Sequence, residues 1–114
     1  MILIGDFNSC TKEDSTNQTD YNPKDLIKLE ELGYIDLWKF HSIEDSYKYT
    51  WYHATGTGFR IDYTFVSSKL AATLKDVTSY QDRHIRESKI SDHSPFVIDW
   101  KQCKFFLRYN LIKI

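Results

Sequence analysis

A single α/β or α+β domain is the fold class this sequence predicts, and three observations predict it. Short apolar runs with strand character recur at residues 2–4, 59–67 and 95–100. A helical stripe, Leu26, Leu29 and Leu32, lies between them, so strands and helices interleave as in a layered fold. The chain has 114 residues, 41% hydrophobic and 16% aromatic, which suits one core and no more.

The same composition excludes several classes. The longest apolar run is residues 1–4, too short for a membrane span, so neither a span nor a leader segment is expected. Cys10 and Cys103 stand far apart with no zinc-site spacing around them. They read as two free thiols of a reducing, cytoplasmic compartment. The net charge of -1 carries no global nucleic-acid signature. That balance is uneven, however: residues 101–114 hold Lys101, Lys104, Arg108 and Lys113 and no acid. This basic, apolar tail reads as a solvated terminus or as a segment packed on another surface. The body is residues 1–100.

In chain order, residues 2–4 form a buried strand that breaks after Gly5 into a loop at Asp6, Phe7 and Asn8. Residues 9–21 are polar and read as a surface loop. Asn22 is placed to cap a helix that Pro23 opens, and Gly33 is placed to stop it. Residues 47–53 are aromatic-rich and strand-like, 54–58 turn, and 59–67 return, which makes a β-hairpin. Alternation puts Phe59, Ile61, Tyr63 and Phe65 on one face and Arg60, Asp62, Thr64 and Val66 on the other. Charges in mid-strand are costly unless paired or used. Residues 68–74 read as a short helical turn, 77–80 as a strand, 81–91 as a polar loop and 95–100 as the last strand of the body.

Three clusters carry chemistry: Gly5-Asp6-Phe7-Asn8 at a strand end, Arg60-Ile61-Asp62-Tyr63 within a strand, and Ser91-Asp92-His93-Ser94-Pro95 before the last strand. Each alone also has a structural reading, as a turn former, an in-sheet ion pair or a surface dipeptide. Together they describe a site. Asp92 can supply a carboxylate to a hard cation such as Mg²⁺. His93 can take a proton from an attacking water near neutral pH. Asp62 can hold that imidazole in one tautomer. Asn8 can donate to a phosphate oxygen. Arg60 reads either as a paired charge or as a substrate contact. With no activated Ser or Cys in the set, it fits metal-assisted hydrolysis of a phosphate ester by water.

The order Gly-Asp-Phe-Asn, Tyr-Thr-Trp, Arg-Ile-Asp-Tyr followed by Phe-Val-Ser, then Ser-Asp-His-Ser-Pro resembles the endonuclease/exonuclease/phosphatase superfamily, most nearly its exonuclease III-like abasic-site nucleases. The likeness runs from about residue 2 to residue 100. The resemblance implies a four-layer α/β/β/α sandwich with the metal at one end, of which residues 1–100 correspond to the C-terminal half. It implies Asp6 at the metal and the attacking water, Asn8 on the phosphate, Asp62 orienting the histidine, Asp92 as a metal-associated carboxylate and His93 as acid/base. It implies that Trp51 and Phe59 line a pocket for an extrahelical sugar, and that the cofactor is Mg²⁺, with Mn²⁺ as the alternative. In the family another half, with its glutamate metal ligand, precedes the Gly-Asp-x-Asn motif, and it is expected to have no counterpart in these 114 residues. An open sheet face is then expected to need that half, or a second copy in a homodimer. The expected activity is a DNA phosphodiesterase, the alternatives being a non-catalytic remnant or binding fragment and a phosphatase of small-molecule or lipid phosphates.

Overall fold

The apolar opening of the chain becomes β1 (Ile2–Asp6), which pairs antiparallel with β5 (Asp62–Val66). The computed structural model that gives this pairing describes residues 1–41, 48–102 and 105–110. Tyr47 at the head of the expected hairpin, Cys103, Lys104 and residues 111–114 lie outside the described residues. A short strand, β2 (Ile35–Asp36), pairs on the other side of β5, so the first sheet runs β1-β5-β2.

Both faces of β5 are buried, and its alternation sorts them. Tyr63 and Phe65 pack with Leu26 of α1 (Lys24–Glu31), joined by Leu3, Phe7, Leu29 and Tyr34. Val66 points the other way and packs with Leu37 of α2 (Leu37–His41) and with Ile98 of β7 (Phe96–Gln102). That second cluster lies against a sheet of order β6-β7-β8, with β6 at Lys75–Gln81 and β8 at Phe105–Asn110. Every pairing is antiparallel. The fold is therefore α+β, with α1, the first sheet and the second sheet stacked in that order.

Local signals place most boundaries. Gly33 follows α1 at φ 88°, the left-handed conformation that ends helices and that glycine adopts without strain. Ser67 caps α3 (Ser68–Ala71) by accepting from the Leu70 amide. Asn22 does not cap α1 as expected: it is itself left-handed at φ 50°, and the cap position falls on Pro23. The stretch read as a loop after residue 81 contains a helical turn, α4 (Arg83–Glu87), capped by Asp82, whose carboxylate accepts from the His84 amide. The tail is not loose along its described part, because β8 pairs with β7 from Val97↔Asn110 to Gln102↔Phe105.

The hairpin forms as β3 (Trp51–Tyr52) and β4 (Gly58–Phe59), with Trp51 opposite Phe59. The returning strand is broken, however. At Arg60 and Ile61 the chain leaves the β3–β4 ladder and joins the first sheet at Asp62. The hydroxyl of fully buried Thr50 accepts from the Ile61 and Asp62 amides at this crossing. Among the described residues, no helix is long and apolar enough to cross a membrane.

Candidate active site

The β1–β5 register brings the first two motifs together. Asp6 stands directly opposite Asp62 across the ladder, so both carboxylates lie on one face at one end of the sheet. Two like charges side by side destabilise a ladder unless a cation or a donor sits between them. His93 supplies that group. Its Nδ1 donates to Asp62 Oδ2 at 2.8 Å, while its Nε2 lies 3.9 Å from Asp6 Oδ2 and 3.9 Å from Asp92 Oδ1. Backbone contacts fix the imidazole there. His93 bridges Trp51, its amide donates to Ser91 Oγ, and the Ser94 amide donates to the Thr50 carbonyl.

The environment is unequal around the histidine. His93 and Asp62 are buried, at 7% and 2% exposure, whereas the Asp92 side chain is 77% exposed. The hydrogen bond to Asp62 raises the His93 pKa, burial opposes it, and the charges of Asp62, Asp6 and Asp92 add to the rise, so the net shift is upward. Asp62 thus fixes the Nδ1–H tautomer and leaves Nε2 as the outward, proton-accepting nitrogen between two carboxylates.

Asp6, Asp62 and His93 each place a ligand-capable atom within 4.8 Å of the others. Since Asp62 is engaged with Nδ1, the oxygens that converge near Nε2 are those of Asp6 and Asp92. Two carboxylates, Asp92 exposed and Asp6 largely buried, are a donor set for a hard divalent cation that keeps several waters. Asn8, left-handed at φ 49°, donates its amide to Asp6 Oδ1 at 2.8 Å, which steadies that carboxylate and sets the Asn8 side chain at the rim.

Beside the carboxylates lies a pocket of about 320 Å³ lined by Asn8, Trp51, His53, Phe59 and Ile61 together with residues 19–21. The Trp51 and Phe59 rings lie 5.8 Å apart as a cross-strand pair. Trp51 also ties pocket to site, since its Nε1 donates to Asp92 Oδ2 at 3.3 Å. Sequence reasoning misses residues 19–21 and His53. The pairing that folds residues 19–21 in, Cys10 with Tyr21, joins two residues of a polar loop and has no sequence signature. Cys10 is a buried free thiol whose Sγ donates to the Thr19 carbonyl. Burial pushes its pKa up, which makes it a packing residue rather than a nucleophile.

One expected site residue is not brought to the site. Arg60 is fully buried, and its guanidinium donates to both oxygens of Asp14 and both of Asp36 at 2.6–3.1 Å. It also stacks 4.4 Å over the Tyr63 ring, the face opposite Asp62. The alternation rule fails at Arg60 because the chain is changing ladders there, so its side chain leaves the Asp62 face. The assignment of Arg60 as a substrate contact is corrected to a buried ion-pair residue.

The site residues fall in the order Asp6, Asn8, Asp62, Asp92, His93, each on a strand end or an adjoining loop. No curated protein sequence matches the chain significantly. The family model of the endonuclease/exonuclease/phosphatase family matches residues 1–93, which spans every one of these positions. On that match, the chain belongs to the endonuclease/exonuclease/phosphatase family.

Proposed function

We propose that this chain carries the chemistry of a metal-dependent phosphodiester hydrolase acting on DNA, with His93 as the acid/base group. The observation that carries the reading is the His93 imidazole, held at Nδ1 by Asp62 and turned at Nε2 toward Asp6 and Asp92. Nε2 accepts the proton of an attacking water, and Asp62 stabilises the imidazolium that results. Asp6 and Asp92 are the residues that would hold the cation, Mg²⁺ by its preference for carboxylate oxygen, with Mn²⁺ able to replace it. Bound there, the cation supplies charge neutralisation at the phosphate and a more acidic water. Asn8, at the rim, donates to a phosphate oxygen as charge builds on it.

Support for DNA as the substrate comes from the pocket. An aromatic cleft beside the carboxylates suits a flat or sugar-sized group carried next to the scissile phosphate, and Trp51 joins that cleft to Asp92. An abasic nucleotide is the least costly to turn out of a duplex.

The test is cleavage of a duplex with a single abasic site, with bis(p-nitrophenyl) phosphate as a minimal substrate. The expected result is Mg²⁺-dependent hydrolysis that EDTA abolishes and that His93→Ala lowers by about 10²–10⁴-fold. No hydrolysis of either substrate with any divalent cation, or full activity in His93→Ala, overturns the reading. Turnover confined to phosphomonoesters transfers it to a phosphatase.

A further inference from the structure

Two concave surfaces flank β3: the aromatic pocket, which Trp51 ties to Asp92, and a groove that Asp92 itself lines. Alternation along β3 sends Trp51 to the aromatic pocket, while Tyr52 faces the groove, of about 520 Å³ and lined by Tyr52, Arg86, Lys89, Ser91 and Asp92. The two differ in charge. The described lining of the pocket contains no Lys or Arg, and that of the groove contains one of each.

We propose that this groove binds a second phosphate of a polynucleotide strand, beyond the one at Asp92 and His93, so that the protein engages strands and not only isolated phosphoesters. For the nature of its ligand the proposal rests on the phosphodiesterase reading above.

Two independent features support it. Arg86 is held at the groove wall: its guanidinium lies 4.6 Å over the Tyr52 ring, and Nη1 donates to the Tyr49 carbonyl at 3.4 Å. Neither Arg86 nor Lys89 has a carboxylate partner among the described residues, whereas Arg83 on the same turn reaches Glu87. Arg86 thus keeps N–H donors directed outward at little ordering cost. The second feature is the backbone of Lys89. It follows the helix cap Ser88 at φ 61°, the left-handed position where chains favour Gly or Asn. After α1 the chain uses Gly33 at the equivalent place. Lys89 is exposed, so this turn sets a cation at the groove at a position where glycine would fit without strain.

That strain also separates binding from folding in the test. Binding is read by fluorescence anisotropy of a labelled single strand of about 16 nucleotides, in EDTA so that the strand stays intact. Lys89→Gly is expected to raise Tm, by relieving the backbone, and to weaken strand binding several-fold at low salt. Arg86→Gln is expected to weaken it similarly. Each variant should flatten the dependence of log affinity on log salt by about 0.7. Lys24→Gln, an exposed charge on α1, should alter neither affinity nor slope. If Lys89→Gly gains Tm while affinity and slope stay at the wild-type values, the groove is not a phosphate site. The proposal fails equally if Lys24→Gln weakens binding as much. Because no turnover is needed, the outcomes separate: hydrolysis without groove-dependent binding removes this proposal alone, and groove-dependent binding without hydrolysis removes the catalytic reading alone.

Discussion

His93 and Asp62 form a charge pair whose strength depends on protonation, and this gives the site a measurable pH signature. The imidazolium gains the Asp62 hydrogen bond and the nearby Asp6 and Asp92 charges, so its folded pKa lies above the unfolded value of about 6.5. The resulting stabilisation is complete below that unfolded value and is lost as pH rises through the folded one. Asp62→Asn removes the charge that makes most of it. In metal-free urea titrations, the stability gap between wild type and Asp62→Asn is expected to be wider at about pH 5.5 than at about pH 8.5. A gap that is constant with pH, or wider on the alkaline side, shows that Asp62 does not hold the histidine as an ion pair. The same hydrogen bond sets the tautomer, so this measurement reports on the group proposed for proton transfer without requiring turnover.

At the scale of elements, Arg60 joins three pieces of chain that share no ladder with it. Asp14 belongs to a 3₁₀ turn at Lys12–Asp14, Asp36 to the junction of β2 and α2, and Tyr63 to β5, whose hydroxyl donates to Asp14 Oδ2. Burial beside Asp14 holds the Tyr63 phenol far above its ordinary pKa, so it remains a donor. Arg60→Met is expected to cost about 3–5 kcal/mol in urea unfolding, because two buried carboxylates lose their counter-ion. The triple variant Arg60→Met with Asp14→Asn and Asp36→Asn should recover part of that loss, and a loss that is unchanged in the triple variant refutes the ion-pair account. This cluster also marks the limit of what the sequence discloses. Alternation correctly separates Tyr63 and Phe65 from Val66, and one strand-end motif and one mid-strand motif hold the two carboxylates, Asp6 and Asp62, that the β1–β5 register brings together. The switch of ladders at Arg60 depends on Thr50 accepting the Ile61 and Asp62 amides, a contact eleven and twelve residues apart that no local pattern encodes. The α4 turn is illegible for a different reason. Its lone apolar residue, Ile85, gives no periodicity, and the cap Asp82 is the single available signal.

For the molecule as a whole, β8 settles how the second sheet ends; it and β7 both lie beyond the residues matched by the family model. β7 carries Phe96 and Ile98 of the core and is paired along its length by β8, with partners from Val97↔Asn110 to Gln102↔Phe105. Without β8, β7 presents an unpaired row of backbone N–H and C=O groups along its edge, the feature that leads sheets to associate. Truncation after Gln102 is therefore expected to lower Tm and to produce concentration-dependent oligomers by sedimentation velocity. Electrostatics predict the opposite. The removed segment contains Lys104, Arg108 and Lys113 and no acid, so the shortened chain is more negative than the full one at -1. A larger net charge of one sign favours dispersed monomers. Association on truncation therefore reports the exposed strand edge and not the altered charge, and a truncated chain that stays monomeric with an unchanged melt shows that β8 does not protect the second sheet.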